Sequence, residues 1–320
     1  MIARAAAALA LLVSSALGCS PAPPPAVQGS ASAEVPPPAV ASVAPAPIAA
    51  PGVPAGATAC GALGCLAFPD GRAALRQVLE DKPLALGVGE AHAQKAGAKV
   101  ASSVKRFADE MLPELQGKAS DLVIELMAPP SGCEEKKQEV KKKLEPVTNV
   151  QRETNQNEYV ALGDAALKLG IQPHLLHPTC DDMKAVSAPG GDPVEKSLLL
   201  IARLMRESAE KVLARNAKAG VEKMVVLYGG ALHNDLAPAA EGRDLAFGPP
   251  LVQLTHDRYV ELDVFVPEFI GDSGLWTRFP WRPQYQRESM GGKAVLFTTA
   301  PRTHTILWPV SPAAPAAPAP

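Results

Sequence analysis

Residues 84–97 read LALGVGEAHAQKAG, and this stretch decides the fold. Its apolar start is typical of a buried strand, and the strand pattern stops abruptly at GEAH. Residues 224–235, MVVLYGGALHND, repeat the arrangement with an apolar run that ends in GGALH. A third apolar run, DLVIELM at residues 121–127, carries a glutamate near its end. Because ligands bind beyond the carboxyl ends of parallel strands, these polar endings indicate a site at one edge of a sheet.

Apolar runs alternate with amphipathic segments through most of the chain. Continuous apolar strands separated by helices predict a single α/β domain, with a mostly parallel central sheet and helices on both faces. Residues 171–176 contain Pro173, which favours an edge strand or a bend. Residues 258–266, RYVELDVFV, alternate between apolar and polar and predict an edge or half-exposed strand. The predicted helices cover residues 68–80, 96–115, 133–144, 158–169 and 194–218.

Both ends of the chain differ from its middle in composition. Residues 1–18 have the short apolar core of a secretory signal peptide, and the following Cys19 ends a stretch that is typical of a bacterial lipidation site. An ordinary signal peptide with an unrelated cysteine is the alternative interpretation. Residues 19–59 are rich in proline and alanine and predict a disordered tether, as residues 311–320 predict a disordered tail. The predicted domain therefore covers residues 60–310, held at a membrane by lipid.

Charge and cysteine content narrow the function classes further. The formal net charge is −2, and we find no basic stripe, so nucleic acid is not an expected partner. Four cysteines remain if Cys19 carries lipid, and an even number in an exported chain favours disulfides. Cys60 with Cys65 would close a small loop, which leaves Cys133 to pair with Cys180. Four free thiols are the alternative.

The strand-end residues suggest a chemistry if their strands are neighbours. Glu90, His92, Glu125 and His233 would then converge on one pocket. Two imidazoles with carboxylates are suitable ligands for a divalent transition metal such as Mn, Fe, Co or Zn. Such an ion would generate a hydroxide near neutral pH, with a spare carboxylate as general base. All four residues are therefore candidate metal ligands and candidate catalytic residues.

The paired motifs also resemble a known superfamily. GEAH, the glutamate within LVIELM and VVLYGGALH look like the motifs of the superfamily that joins the TraB and GumN proteins, the Tiki metalloproteases, the erythromycin esterases and the ChaN haem-binding lipoproteins. The resemblance implies that His92 and His233 are paired site histidines and that Glu90 and Glu125 are their acidic partners. The lipid anchor agrees with a ChaN-like branch in the cell envelope, on the outer membrane and facing the periplasm or the surface.

Members of that superfamily differ in function, so three hypotheses follow. The first is a metal-dependent hydrolase of peptides or esters. The second is a haem-binding lipoprotein without catalysis, in which Tyr228 or His177 lies near the iron and the pocket is shared across a homodimer. The third is a lipoprotein that only binds a partner. His256 and His304 are expected to be surface residues.

Overall fold

Nine strands form one sheet in the computed structural model, which describes residues 52–312 except residue 273. The sheet order is β1-β2-β8-β9-β7-β3-β6-β4-β5. The six strands from β9 to β5 in this order all run parallel, whereas β1, β2 and β8 pair antiparallel. The strands are β1 (Thr58–Ala59), β2 (Leu66–Phe68), β3 (Ala85–Glu90), β4 (Ala119–Met127), β5 (Gln172–Leu176), β6 (Met224–Gly230), β7 (Tyr259–Phe265), β8 (Ala294–Ala300) and β9 (Thr303–Leu307).

Helices cover both faces of this sheet, which confirms the predicted α/β class with a mostly parallel, mixed sheet. One core lies between the sheet and α1, α2 and α4, and a second core lies between the sheet and α3, α5, α6 and α7. Neighbouring residues of β6 face opposite cores, so the strand is apolar throughout. The helices are α1 (Gly71–Val78), α2 (Ser103–Arg106), α3 (Glu134–Thr148), α4 (Asn155–Lys168), α5 (Cys180–Ser187), α6 (Pro193–Lys218), α7 (Gly248–Leu254) and α8 (Arg287–Met290).

The limits of the folded part differ slightly from those expected. β1 belongs to the sheet although it lies in the predicted tether. At the other end, Ser311 donates its backbone N–H to Glu268 Oε1 at 2.5 Å. The predicted signal peptide and Cys19 lie outside the described residues, as do residues 313–320. Among the residues that the structure describes, no helix is both long and apolar enough to cross a membrane.

Two sequence predictions about secondary structure were wrong. The segment predicted as a helix from residue 96 is a loop up to Ser102, whose hydroxyl accepts from Lys105 N and caps α2. α2 then continues through a π-turn at Phe107–Met111 and a 3-10 turn at Leu112–Leu115. β7 is not an edge strand but lies inside the sheet between β9 and β3, and all its residues are buried.

Two disulfides connect the cysteine pairs that the sequence suggested. Cys60 bonds to Cys65 with their Cα atoms 5.1 Å apart. Cys133 bonds to Cys180 with their Cα atoms 5.6 Å apart, and this bond joins the start of α3 to the start of α5. The second bond closes the larger loop, because its cysteines are 47 residues apart rather than 5.

Loss of the Cys133–Cys180 bond should destabilise the protein more than loss of the Cys60–Cys65 bond. Loop-closure entropy predicts about 4 kcal/mol for the larger loop and about 2 kcal/mol for the smaller one. Urea unfolding of two double variants, Cys133→Ala with Cys180→Ala and Cys60→Ala with Cys65→Ala, measures the difference. Equal losses in the two variants would contradict this expectation.

Candidate functional site

The three strands that carry the polar endings are neighbours in the order β3-β6-β4. β3 and β6 are parallel and in register, with Gly89 beside Gly229 and Glu90 beside Gly230. β4 pairs with the other side of β6. The GEAH and GALH turns and Glu125 therefore lie at one edge of the sheet, so four predicted site residues meet there: Glu90, His92, Glu125 and His233.

Glu90 is buried and accepts hydrogen bonds from two tyrosines. Tyr159 on α4 donates its hydroxyl to Glu90 Oε1 at 2.8 Å, and Tyr228 on β6 donates to Oε2 at 3.2 Å. Burial and the charge of Glu90 raise the pKa of both tyrosines well above 10, so both hydroxyls keep their protons. His92 Nδ1 lies 2.9 Å from Glu90 Oε1 and completes the set of donors around this carboxylate.

The Glu90 contact fixes both the orientation and the charge of His92. Burial lowers the pKa of His92, but the hydrogen bond and charge of Glu90, together with the charge of Glu125, raise it to about 9. His92 is therefore an imidazolium at neutral pH. With Nδ1 held by Glu90, Nε2 points to the other side of the ring, where a Cβ on Gly230 would lie 3.5 Å from it.

His233 and Glu125 lie on the other side of the same space. His233 is buried, and its Nδ1 is 2.7 Å from the carbonyl oxygen of Leu245, so Nδ1 carries the proton of the neutral ring. Its Nε2 is then a free acceptor, 3.9 Å from Glu125 Oε1. Glu125 Oε2 accepts from Gly230 N at 2.6 Å. His233 Nε2 therefore lies near Glu125, and His92 is close enough for the charge of Glu125 to raise its pKa.

Glycine at position 229 of β6 makes the approach of Glu125 possible. A Cβ on Gly229 would collide with Glu125 Oε2 and lie 3.0 Å from Glu125 Cβ. A Cβ on Gly230 would instead make ordinary van der Waals contacts with His92 Nε2 at 3.5 Å and with Glu125 Oε2 at 3.6 Å. Gly229 thus leaves the room that the carboxylate occupies.

Arg152 holds the loop that follows His92. Its guanidinium donates to the carbonyl oxygens of Gln94, Ala98 and Val100 and lies over the ring of Phe269, 5.3 Å from the centroid. These contacts hold residues 94–100 as a loop where the sequence predicted the start of a helix.

Other predicted residues have different surroundings. His177 is exposed and bonds through Nδ1 to the carbonyl of Ala128 at 3.2 Å, and no contact joins it to Glu90, His92, Glu125 or His233. His304, expected at the surface, is buried, with Nε2 2.8 Å from Asp81 Oδ2 and Nδ1 3.1 Å from Thr298 Oγ1. These partners tie the last hairpin to the turn after α1.

The arrangement does not fit the expected four-ligand metal centre. Both oxygens of Glu90 accept hydrogen bonds from protein groups. In the described part of the chain, no group of three or more His, Cys, Asp or Glu side chains is placed to hold a metal ion. Nor does Tyr228 offer a free hydroxyl to haem iron, since it donates to Glu90 and is fully buried against Phe107 and Tyr159.

Comparisons with protein-family models, with curated proteins and with solved structures gave no match to this chain. The resemblance to the TraB, Tiki, erythromycin esterase and ChaN superfamily therefore stays a prediction from the motifs.

Glu90→Gln should lower the pKa of His92 from about 9 to below 6.5, because burial remains while the carboxylate that opposes it is removed. The raised pKa also means that the pair stabilises the fold fully below pH 6.5, and that this contribution is lost as pH rises through about 9. Titration of the His92 ring protons by NMR measures the shift. Glu153→Gln is a matched control at an exposed surface glutamate. An unchanged His92 pKa in Glu90→Gln would contradict the assignment.

Proposed function

We propose that the chain is an exported, lipid-anchored hydrolase of the cell envelope that acts on esters or peptides. The observation that carries the proposal is the pair of histidines with engaged Nδ1 atoms, of which His233 has its Nε2 3.9 Å from Glu125 and His92 is close enough for the charge of Glu125 to raise its pKa. A group that can donate a proton and a group that can accept one, placed around one space, are what acid–base hydrolysis requires.

The two histidines take different roles in this proposal. His233 Nε2 is the general base, which removes a proton from water as the water oxygen attacks the substrate carbonyl. His92 is the acid, whose Nε2–H hydrogen-bonds the developing oxyanion and then gives its proton to the leaving alcohol or amine. Glu125, fixed by Gly230 N, orients the water and stabilises the positive charge that develops on His233.

Glu90 and its tyrosines support the acid without touching the substrate. The carboxylate holds the Nδ1–H side of His92, so that Nε2–H faces the reaction. His92 therefore sets an upper limit of about 9 to the pH at which the chain is active, because above it His92 has lost the proton that it must donate.

The lipid anchor at Cys19 supplies the proposed location. The chain would be tethered in the envelope by acyl chains and a proline-rich segment. Cys19→Ser should move the protein from the membrane pellet to the soluble fraction on cell fractionation. Recovery of the variant in the pellet, in the same proportion as the unmodified chain, would reject this anchor.

The activity is tested with the full chain on nitrophenyl esters and on peptides. His92→Gln, His233→Gln and Glu125→Gln should each lower kcat by about a hundredfold or more. His177→Gln, outside the cluster, is the matched control and should keep full activity. Wild-type activity equal to that of all three variants would reject the site and favour a partner-binding role.

Two further measurements separate the alternatives. Activity that survives dialysis against a chelator supports the acid–base form of the proposal. Activity lost to the chelator and restored by Mn, Fe, Co or Zn would assign the metal-dependent form instead. A haem absorption band in the purified chain, with no turnover of any probe, would replace the hydrolase by the haem-binding hypothesis.

A further inference from the structure

Two buried acids on β7 lie under the turn that carries His233. Glu261 and Asp263 are 8% and 5% exposed. Glu261 Oε2 accepts from Leu236 N at 2.6 Å, and Asp263 Oδ1 accepts from Asn234 Nδ2 at 3.1 Å. Neither acid has a role in the mechanism above, yet both hold residues that follow His233 directly.

Asn234 is the link between this acid pair and the proposed base. Its side-chain amide also donates to the carbonyl oxygen of Gly87 at 3.3 Å, and its own carbonyl accepts from the Tyr259 hydroxyl at 2.5 Å. The position of Asn234 is therefore set by β3 and β7. Because Asn234 is the next residue after His233, the same contacts fix the backbone from which the His233 ring extends.

One atom in this arrangement has no partner. Asn234 Oδ1 is fully buried and accepts no hydrogen bond, although such an orphan acceptor is costly. Asn234 Oδ1 and Asp263 Oδ1 both lie 2.5 Å from the position that a Cβ on Gly89 would take. Asn234 Oδ1 thus lies beside the Asp263 carboxyl, and a proton on that carboxyl would supply the donor that Asn234 Oδ1 lacks.

We propose that Asp263 is a positioning residue whose protonated carboxyl donates a hydrogen bond to Asn234 Oδ1 and thereby holds His233 in place as the base. The role of His233 in this inference rests on the proposed function, whereas the hydrogen bond between Asp263 and Asn234 does not depend on it. The acid acts through Asn234 and does not touch the substrate.

The surroundings of Asp263 favour its neutral form. The titratable groups that face it are Glu261 and Tyr259 on β7 and Asp235 on the turn, while β3 and β9 present Gly89 and Thr305. Burial and the charge of Asp235 raise the pKa of Asp263, although the hydrogen bond from Asn234 lowers it. Burial and the charge of Asp263 raise the pKa of Glu261. No cation is among these neighbours, so an ionised Asp263 would lack a counter-charge.

Asp263→Asn and Asp263→Ala test the inference as a pair in the full chain. Asparagine keeps a neutral donor and acceptor, so Asp263→Asn should retain kcat near the wild-type value. Alanine removes both, and the misplaced base should lower kcat by about a hundredfold with a smaller change in KM. As pH rises, wild-type activity should fall when Asp263 ionises, whereas Asp263→Asn should keep its activity until His92 loses its proton. A wild-type pH profile in Asp263→Asn, or wild-type kcat in Asp263→Ala, would overturn the inference.

Two measurements without turnover separate this inference from the proposed function. A carboxyl whose pKa is raised on folding stabilises the protein at low pH. This contribution is lost as pH rises above 3.8, which is the pKa of the carboxyl in the unfolded chain. The Tm of the wild type should therefore fall more steeply with pH than that of Asp263→Asn. The His233 Nδ1–H resonance should keep its wild-type chemical shift in Asp263→Asn and move in Asp263→Ala. If no probe is hydrolysed but both results are obtained, the proposed function fails and the positioning role stands. Parallel Tm profiles would reject the protonated carboxyl.

Discussion

The parallel pairing of β3 with β6 is the interaction on which the site depends. Its register brings the GEAH and GALH turns out of the sheet at the same level, one beside the other. Side chains alternate between the two faces of a strand, so a slip of one residue would turn Glu90 away from Tyr159 and Tyr228. The buried apolar residues of both strands secure this register, because a slip would also exchange the two cores that they fill.

The same sheet edge places two carboxyl groups in opposite surroundings. Glu90 is surrounded by donors from α4, β6 and its own turn, which suits a carboxylate. Asp263 lies among other acids and receives one side-chain amide, which suits a neutral acid. Each group lies beside a histidine of the candidate site: Glu90 holds His92 directly, and in the proposed arrangement Asp263 holds His233 through Asn234.

Local patterns predicted much of this architecture. Apolar runs identified β3, β4 and β6, and their polar endings identified Glu90, His92, Glu125 and His233. The parts that the sequence did not predict depend on long-range contacts. In the sequence, the acids that alternate along β7 predict a solvent-exposed face. Only the contacts with the turn after His233 show why Glu261 and Asp263 are buried. Tyr159 occupies an ordinary core position of a helix, and its role appears only when α4 packs on Glu90. Arg152 holds the loop before α2 by donating to three backbone carbonyls, and no local sequence pattern predicts these contacts.

The segment between Cys133 and the end of α4 connects the two faces of the sheet, because α3 packs in one core and α4 in the other. It supplies Arg152, which holds the loop after His92, and Tyr159, which holds Glu90. Local unfolding of this segment would release both contacts at once, so His92 would lose the groups that orient it. The disulfide anchors the start of this segment to α5. Reduction of this bond would therefore lower the free energy needed to open the segment that supports His92.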